Sequence, residues 1–136
     1  MKLTEAQRIA IEGITTASTA SDIRTMFANA RAEGSAQEIT FTADCTIDPD
    51  AYEVVFFDTT LGAIAAGLAA STQPRHMIFI MSVDGGTDVT LTPAVLGDYS
   101  GGAVTDITFN DAGDTAQLYC DGTTWYVIGT ATATVA

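Results

Sequence analysis

Basic residues are scarce in this sequence. Five lysine and arginine residues stand against 17 aspartate and glutamate residues, which gives a formal net charge of −12 at pH 7. A nucleic-acid-binding protein neutralises phosphates with a basic surface, and an anionic membrane attracts the same kind of surface. The composition therefore predicts that neither nucleic acid nor a membrane surface is a partner.

Long apolar runs are also missing. A membrane-spanning helix needs about 20 consecutive apolar residues, whereas the best candidate, from Leu61 to Ala70, is short and consists mostly of alanine and glycine. The segment from Met1 to Arg8 turns polar at once and lacks the apolar stretch of about 7–15 residues that a secretory signal requires. We expect neither a signal peptide nor a transmembrane segment.

Residues that carry common catalytic or metal chemistry are few. The single histidine, His76, has no Gly-x-Ser-x-Gly partner motif for a hydrolase. A zinc site needs several closely spaced ligands, and Cys45 and Cys120 lie far apart in the sequence. We therefore expect no enzyme activity, no metal and no cofactor. The two cysteines are predicted to be buried free thiols, although a single bridge between them stays open.

Aspartates are frequent in segments that resemble turns. They recur in small groups, but none of these groups matches the twelve-residue calcium loop with its closing glutamate. Aspartate side chains commonly accept hydrogen bonds from nearby backbone amides in turns. We therefore interpret these residues as turn formers.

The first 36 residues predict a helical segment. Thr4 and Gln7 have the spacing of a capping box, which favours a short helix there. A second helix is predicted from about Asp22 to Arg31, with Ser21 as its N-cap and an apolar stripe on one side. With 47% hydrophobic residues in 136, the whole chain is predicted to form one compact unit.

Residues 37–136 predict an antiparallel β domain, either a sandwich or a barrel-like sheet. Apolar residues alternate with polar ones, and threonine is abundant. The segment Thr59 to Ser71 is predicted to be a loop with at most one helical turn. The segment His76 to Val83 is apolar on both faces, so we expect a central strand or an interface strand. Val89 to Thr92 is predicted to return beside it.

The last part of the chain predicts a three-strand meander, from about Thr105 to Gly129. Asp121-Gly122 favours a two-residue type I′ turn, which would place Leu118 opposite Trp125 on the core face. The opposite face is too apolar to be fully solvated and is predicted to pack on another element or subunit. The candidate interface residues are Tyr119, Tyr126, Ile128, Met77, Phe79 and Met81.

The last 50 residues or so resemble virion proteins of tailed bacteriophages. The resemblance rests on Thr-rich strands such as Val89 to Pro93, an Ala112-Gly113-Asp114 turn, the Asp121-Gly122 turn, and the Trp125 to Ile128 strand. Capsid decoration (cement) proteins and head or tail fibre modules carry this pattern. The N-terminal helices are not part of it.

The resemblance implies a non-enzymatic viral structural protein. It implies a homotrimer on the capsid exterior that binds the major capsid protein and stabilises the assembled phage head, after synthesis in the host cytoplasm. The alternative is a head-fibre, tail-fibre or receptor-binding module that recognises host surface glycans.

Overall fold

A computed structural model describes residues 37–136, which belong to the second of the two units of the chain, Ala36–Ala136. The predicted N-terminal helices fall outside the described residues. The described part is mainly β. Its ten strands are β1 (Glu38–Phe41), β2 (Cys45–Ile47), β3 (Val54–Asp58), β4 (Ile64–Leu68), β5 (Pro74–Val83), β6 (Val89–Pro93), β7 (Ile107–Phe109), β8 (Thr115–Asp121), β9 (Trp125–Ala131) and β10 (Thr134–Val135).

The strands form a sandwich of two five-stranded sheets. The first sheet has the order β1-β3-β5-β8-β9, and the second has the order β10-β7-β6-β4-β2. From β1 to β6, successive strands belong alternately to the first and the second sheet. The chain therefore winds around the sandwich three times, and we call each winding, of one strand in each sheet, a coil. Because the chain runs back along the second sheet, it re-enters the first sheet in its original direction. The pairs β1–β3, β3–β5, β2–β4 and β4–β6 are therefore parallel.

After β6 the winding changes and the pairing becomes antiparallel. The antiparallel pairs are β6–β7, β5–β8, β8–β9 and β7–β10. Both sheets are thus mixed, and the prediction of an antiparallel domain is wrong for the first half of the described chain. The barrel alternative is also wrong, because each of the two sheets is open and ends in edge strands.

The predicted meander is wrong as well. β7 belongs to the second sheet, whereas β8 and β9 pair in the first. Hydrophobic alternation identifies a strand and its buried face, but it carries no information about which sheet receives the strand. For the same reason β6, the predicted return partner of β5, lies in the opposite sheet and pairs with β4.

The core lies between the sheets and draws on both. Phe57 of β3 stacks near Phe79 of β5, with ring centroids 6.3 Å apart, and meets Phe109 of the second sheet at 5.7 Å. The indole N–H of Trp125 donates to the backbone oxygen of Ala69 at 3.2 Å, which satisfies a fully buried polar group. These contacts join the two layers.

The segment Thr59–Ser71, predicted as a loop, contains strand β4. Ile64, Ala66 and Leu68 are buried, while Ala65 between them is exposed. This alternation is that of a half-buried strand. Alanine and glycine have low strand propensity, which concealed the strand in the sequence.

The β8–β9 hairpin has the predicted faces with a different register. Cys120 lies opposite Trp125, and Leu118 lies opposite Val127, which is a shift of two residues from the prediction. Asp121 does not adopt a positive φ, and its backbone amide donates to the backbone oxygen of Thr124 at 3.2 Å. The two central residues of the turn are therefore Gly122 and Thr123, one position later than predicted, and Oδ1 of Asp121 accepts from the backbone amides of Thr123 and Thr124. Because side chains alternate with period two, a shift of two leaves each residue on its predicted face.

Candidate interaction face

One side of the first sheet faces away from the core and carries two groups of apolar side chains among polar ones. Its inward-facing neighbours, including Val55, Phe57 and Ala116, are buried in the sandwich. The residues between them point outward because strand side chains alternate. We call the following set the outer face: Val54, Phe56, Ile78, Ile80, Tyr119, Tyr126 and Ile128.

The register of the sheet brings these residues together. Val54 pairs with Ile78, and Phe56 pairs with Ile80, across the parallel β3–β5 ladder. Further along the sheet, Tyr119 lies opposite Tyr126 in the β8–β9 ladder. Cross-strand neighbours of this kind have side chains in contact distance, so the outer face consists of two apolar groups. The polar residues Gln117 and Thr115, which pair with Ile78 and Ile80, lie between these groups.

Three of the predicted interface residues lie on the outer face. Tyr119 and Tyr126 are each 40% exposed, and Ile128 is 56% exposed. Large apolar side chains exposed side by side are typical of interaction surfaces. The described structure thus brings together residues that the sequence separates by up to nine positions.

The other three candidates are in the core. Met77, Phe79 and Met81 are at most 1% exposed, so the prediction that they form an interface is wrong. They are the inward-facing residues of β5. The position of β5 in the middle of the first sheet confirms the prediction of a central strand. The sequence showed that both faces of β5 are apolar, but it did not show which face the opposite sheet covers. Ile78 and Ile80, which the prediction left out, are the residues of that strand that face outward.

The ring of Tyr126 is seated against a glycine. A Cβ on Gly97 would lie 2.6 Å from Cε1 of Tyr126, closer than real Cβ atoms approach. The Tyr126 hydroxyl donates to Oδ2 of Asp121 at 3.4 Å. The pKa of Asp121 lies below its ordinary value, because the backbone amides of Thr124 and Thr123 hydrogen-bond its carboxylate. The absence of a side chain at Gly97 therefore leaves the space that the Tyr126 ring occupies.

Charge is distributed very unevenly over the chain. Residues 37–136 contain 13 of the 17 acidic residues and one of the five basic residues, Arg75. The acidic residues on the outer side of the first sheet are Glu38, on an edge strand, and Asp58 and Asp121, at strand ends. The centre of the outer face is therefore uncharged within a strongly acidic unit.

A small open cavity lies where β3 and β5 begin. It has a volume of about 260 Å³ and is lined by Pro49, Tyr52, Glu53, Pro74, Arg75 and His76. The guanidinium of Arg75 forms an ion pair with Asp50, with Nη2 2.7 Å from Oδ1. The exposed His76 pairs in register with Tyr119, so the cavity adjoins the outer face.

Several aspartates form turns, as interpreted from the sequence. Oδ1 of Asp48, Asp58 and Asp84 accepts a hydrogen bond from the backbone amide two residues later, at 2.6–2.9 Å. Among residues 37–136 no group of three or more metal-ligating side chains occurs. Both cysteines are free thiols, with Cys120 buried as predicted and Cys45 only half-buried.

The comparisons with known proteins identify no relative of this chain. No protein-family model, no curated protein and no solved structure matches the chain. In the described residues no helix is long and apolar enough to cross a membrane.

Proposed function

We propose that this protein is a bacteriophage capsid decoration protein, a non-enzymatic virion component that binds the assembled head as a homotrimer. Its partners would be other copies of itself and the major capsid protein, and its place would be the capsid exterior after synthesis in the host cytoplasm. The resemblance of the last 50 residues to phage virion modules suggests the class. The outer face is the observation that carries the proposal.

The outer face suits contact between copies of the same chain. A unit with 13 acidic residues and one basic residue repels a second copy over most of its surface. The uncharged centre of the outer face is where two such units meet with the least repulsion. Tyrosine and other large apolar side chains are enriched at the centres of protein interfaces. The trimer contact is therefore proposed at Tyr119, Tyr126 and Ile128, with Phe56, Ile78 and Ile80 beside them.

A protein of this kind acts by mass action. A decoration protein that binds the assembled shell and not its free subunits stabilises the shell, because binding lowers the free energy of the assembled state alone. A trimer presents three equal footprints, so individually weak contacts add to a firm attachment. This role needs a rigid fold and complementary surfaces and requires no chemical step.

The test compares particles with and without the protein. Particles that lack it should release DNA at a lower temperature than complete particles, and they should release it at salt concentrations that complete particles still withstand. Adding purified protein should restore the stability of the deficient particles. Protein with Tyr119→Asp and Ile128→Asp should fail to restore it. Leu61→Asp is the matched control, because Leu61 is an exposed apolar residue (82%) in a loop outside the outer face. Equal stability of complete and deficient particles would reject the cement role.

A second candidate is a fibre or receptor-binding module that recognises host surface glycans. The cavity at Arg75 favours it, because sugar sites combine aromatic faces with convergent polar groups. Tyr52, Glu53 and His76 line the cavity, and Tyr119 stands in register with His76. Binding on a glycan array that is lost in Tyr52→Ala would favour this candidate, whereas restored particle stability without glycan binding favours the cement role.

A further inference from the structure

The chain crosses from the first sheet to the second at a strained residue. Thr132 lies between β9 in the first sheet and β10 in the second, and it has a φ of +61°. A β-branched residue rarely adopts this left-handed conformation, because its Cβ substituents crowd the backbone. The crossing therefore costs conformational free energy that the surrounding contacts must offset.

One buried carboxylate fixes this crossing. The Thr132 hydroxyl donates to Asp114, whose other oxygen accepts from the backbone amides of Asn110 and Asp111 at 2.9 and 3.1 Å. Asp114 is 1% exposed. The carboxylate thus connects the β9–β10 crossing to the loop between β7 and β8.

The residues after the crossing contact the core through two small side chains, Ala133 and Val135. We call residues 133–136 the strap. Ala133 is buried and Val135 is half-buried. The backbone hydrogen bonds of the strap to the rest of the second sheet go to one edge of β7 and the residues before it. The backbone oxygen of Ala136 accepts from Thr105 at 2.8 Å and from Asp106 at 3.0 Å. A segment held mainly by edge hydrogen bonds opens at low cost compared with the core strands.

An opened strap would expose a pairing edge that fits only a particular strand. Ile107 and Thr108 of β7 would lose their β10 partners, and unpaired strand edges bind extended segments readily. The strap of a second copy supplies the same hydrogen bonds and the same side chains. Exchange would therefore preserve every strap contact while releasing the strained φ of Thr132.

We propose that the strap is exchanged between copies, so that residues 133–136 of one chain pair with β7 of its neighbour. The inference rests on the self-association in the proposed function, and it adds a second contact between copies, at the β7 edge of the second sheet, to the one proposed on the outer face. Short connections under strain are known to favour such exchange, which keeps the closed-form contacts and relaxes only the hinge.

Engineered cysteine pairs test the exchange. Thr108 and Thr134 are direct partners in the antiparallel β7–β10 ladder, at a spacing that a disulfide accepts. In full-length protein carrying Cys45→Ser, the pair Thr108→Cys and Thr134→Cys should give covalent dimers and trimers on a non-reducing denaturing gel. The matched control is Thr90→Cys with Thr108→Cys, because Thr90 pairs with Thr108 on the other side of β7. This control should give only intrachain disulfides.

Light scattering on the same samples separates the two hypotheses. An oligomer whose Thr108–Thr134 pair stays within one chain overturns the exchange and leaves the self-association intact. A monomer with an intrachain disulfide overturns both. Failure of this pair to oxidise while the control oxidises also overturns the exchange, because exchange preserves the β7–β10 pairing.

Discussion

Replacement of Asp114 tests whether its carboxylate stabilises the point at which the chain crosses from β9 in the first sheet to β10 in the second. Its carboxylate accepts hydrogen bonds from the backbone amides of Asn110 and Asp111 and from the Thr132 hydroxyl. Asp114→Ala removes the acceptor and leaves two part-buried amides without a partner, at roughly 1–3 kcal/mol each. Thr132 is exposed and can bond water instead.

The expected loss in the free energy of unfolding is therefore about 3 kcal/mol for Asp114→Ala. Domains of this size have a free energy of unfolding of roughly 5–15 kcal/mol, so the expected loss is a large fraction of the total stability. The melting temperature should fall by roughly 15 °C, since 1 kcal/mol corresponds to about 4–8 °C in a domain of 60–100 residues. Urea unfolding followed by Trp125 fluorescence measures the free energy of unfolding, and a thermal melt followed by the same signal measures the melting temperature.

Asp111→Asn is the matched control for this experiment. Asp111 lies in the same loop, but its exposed carboxylate only accepts from the side chain of Asn110 at 3.3 Å. A change below about 0.5 kcal/mol is expected there. If Asp114→Ala were as stable as this control, the carboxylate would not be what fixes the crossing.

Acid titration gives an independent check on the same carboxylate. Burial raises the pKa of Asp114, but the hydrogen bonds from Thr132, Asn110 and Asp111 outweigh burial and hold the pKa below its ordinary value of 3.8. A depressed pKa contributes stability that is complete above the ordinary value and is lost as pH falls through the folded-state value. The stability gap between the natural protein and Asp114→Asn should stay constant above about pH 5 and shrink below about pH 4. A gap that does not shrink would refute the assignment.

Two further predictions concern Tyr126 and the cysteines. Gly97→Ala should destabilise the fold by about 1–3 kcal/mol in thermal unfolding, because its Cβ meets the Tyr126 ring. This cost should largely vanish in a Tyr126→Ala background, and an equal cost in both backgrounds would contradict the contact. Under native conditions a maleimide should label Cys45 and leave the buried Cys120 unreacted. Labelling of Cys45 should be slow near neutral pH, because burial raises the pKa of its thiol. Mass spectrometry of the labelled peptides gives the labelling rates of Cys45 and Cys120.

The strands and their faces were predictable in large part because they depend on local periodicity. Tyr119, Tyr126 and Ile128 were placed on one outward face, and Leu118 and Trp125 on the opposite one, and the structure confirms both placements. Because side chains alternate along a strand, a shift of two residues in the pairing of this hairpin left each of these residues on its predicted face.

Pairing partners were not predictable in the same way. Strand β4 has an alternating pattern but is rich in alanine and glycine, so its propensity hid it. The three parallel coils leave no repeat in the sequence because their lengths differ. Glu38 and Val54, which pair, are 16 residues apart, whereas Val54 and Ile78 are 24 apart.

The sequence by itself determined the acidic, cysteine-poor, threonine-rich character of the chain, its β class, and the turn role of its aspartates, because each follows from composition or from contacts a few residues apart. Only the tertiary structure decided that the sheets are mixed and open, and that Met77, Phe79 and Met81 point into the core while Ile78 and Ile80 point out. A strand that is apolar on both faces does not specify which face is covered. That choice depends on where the second sheet packs, which is set by residues far away in the chain.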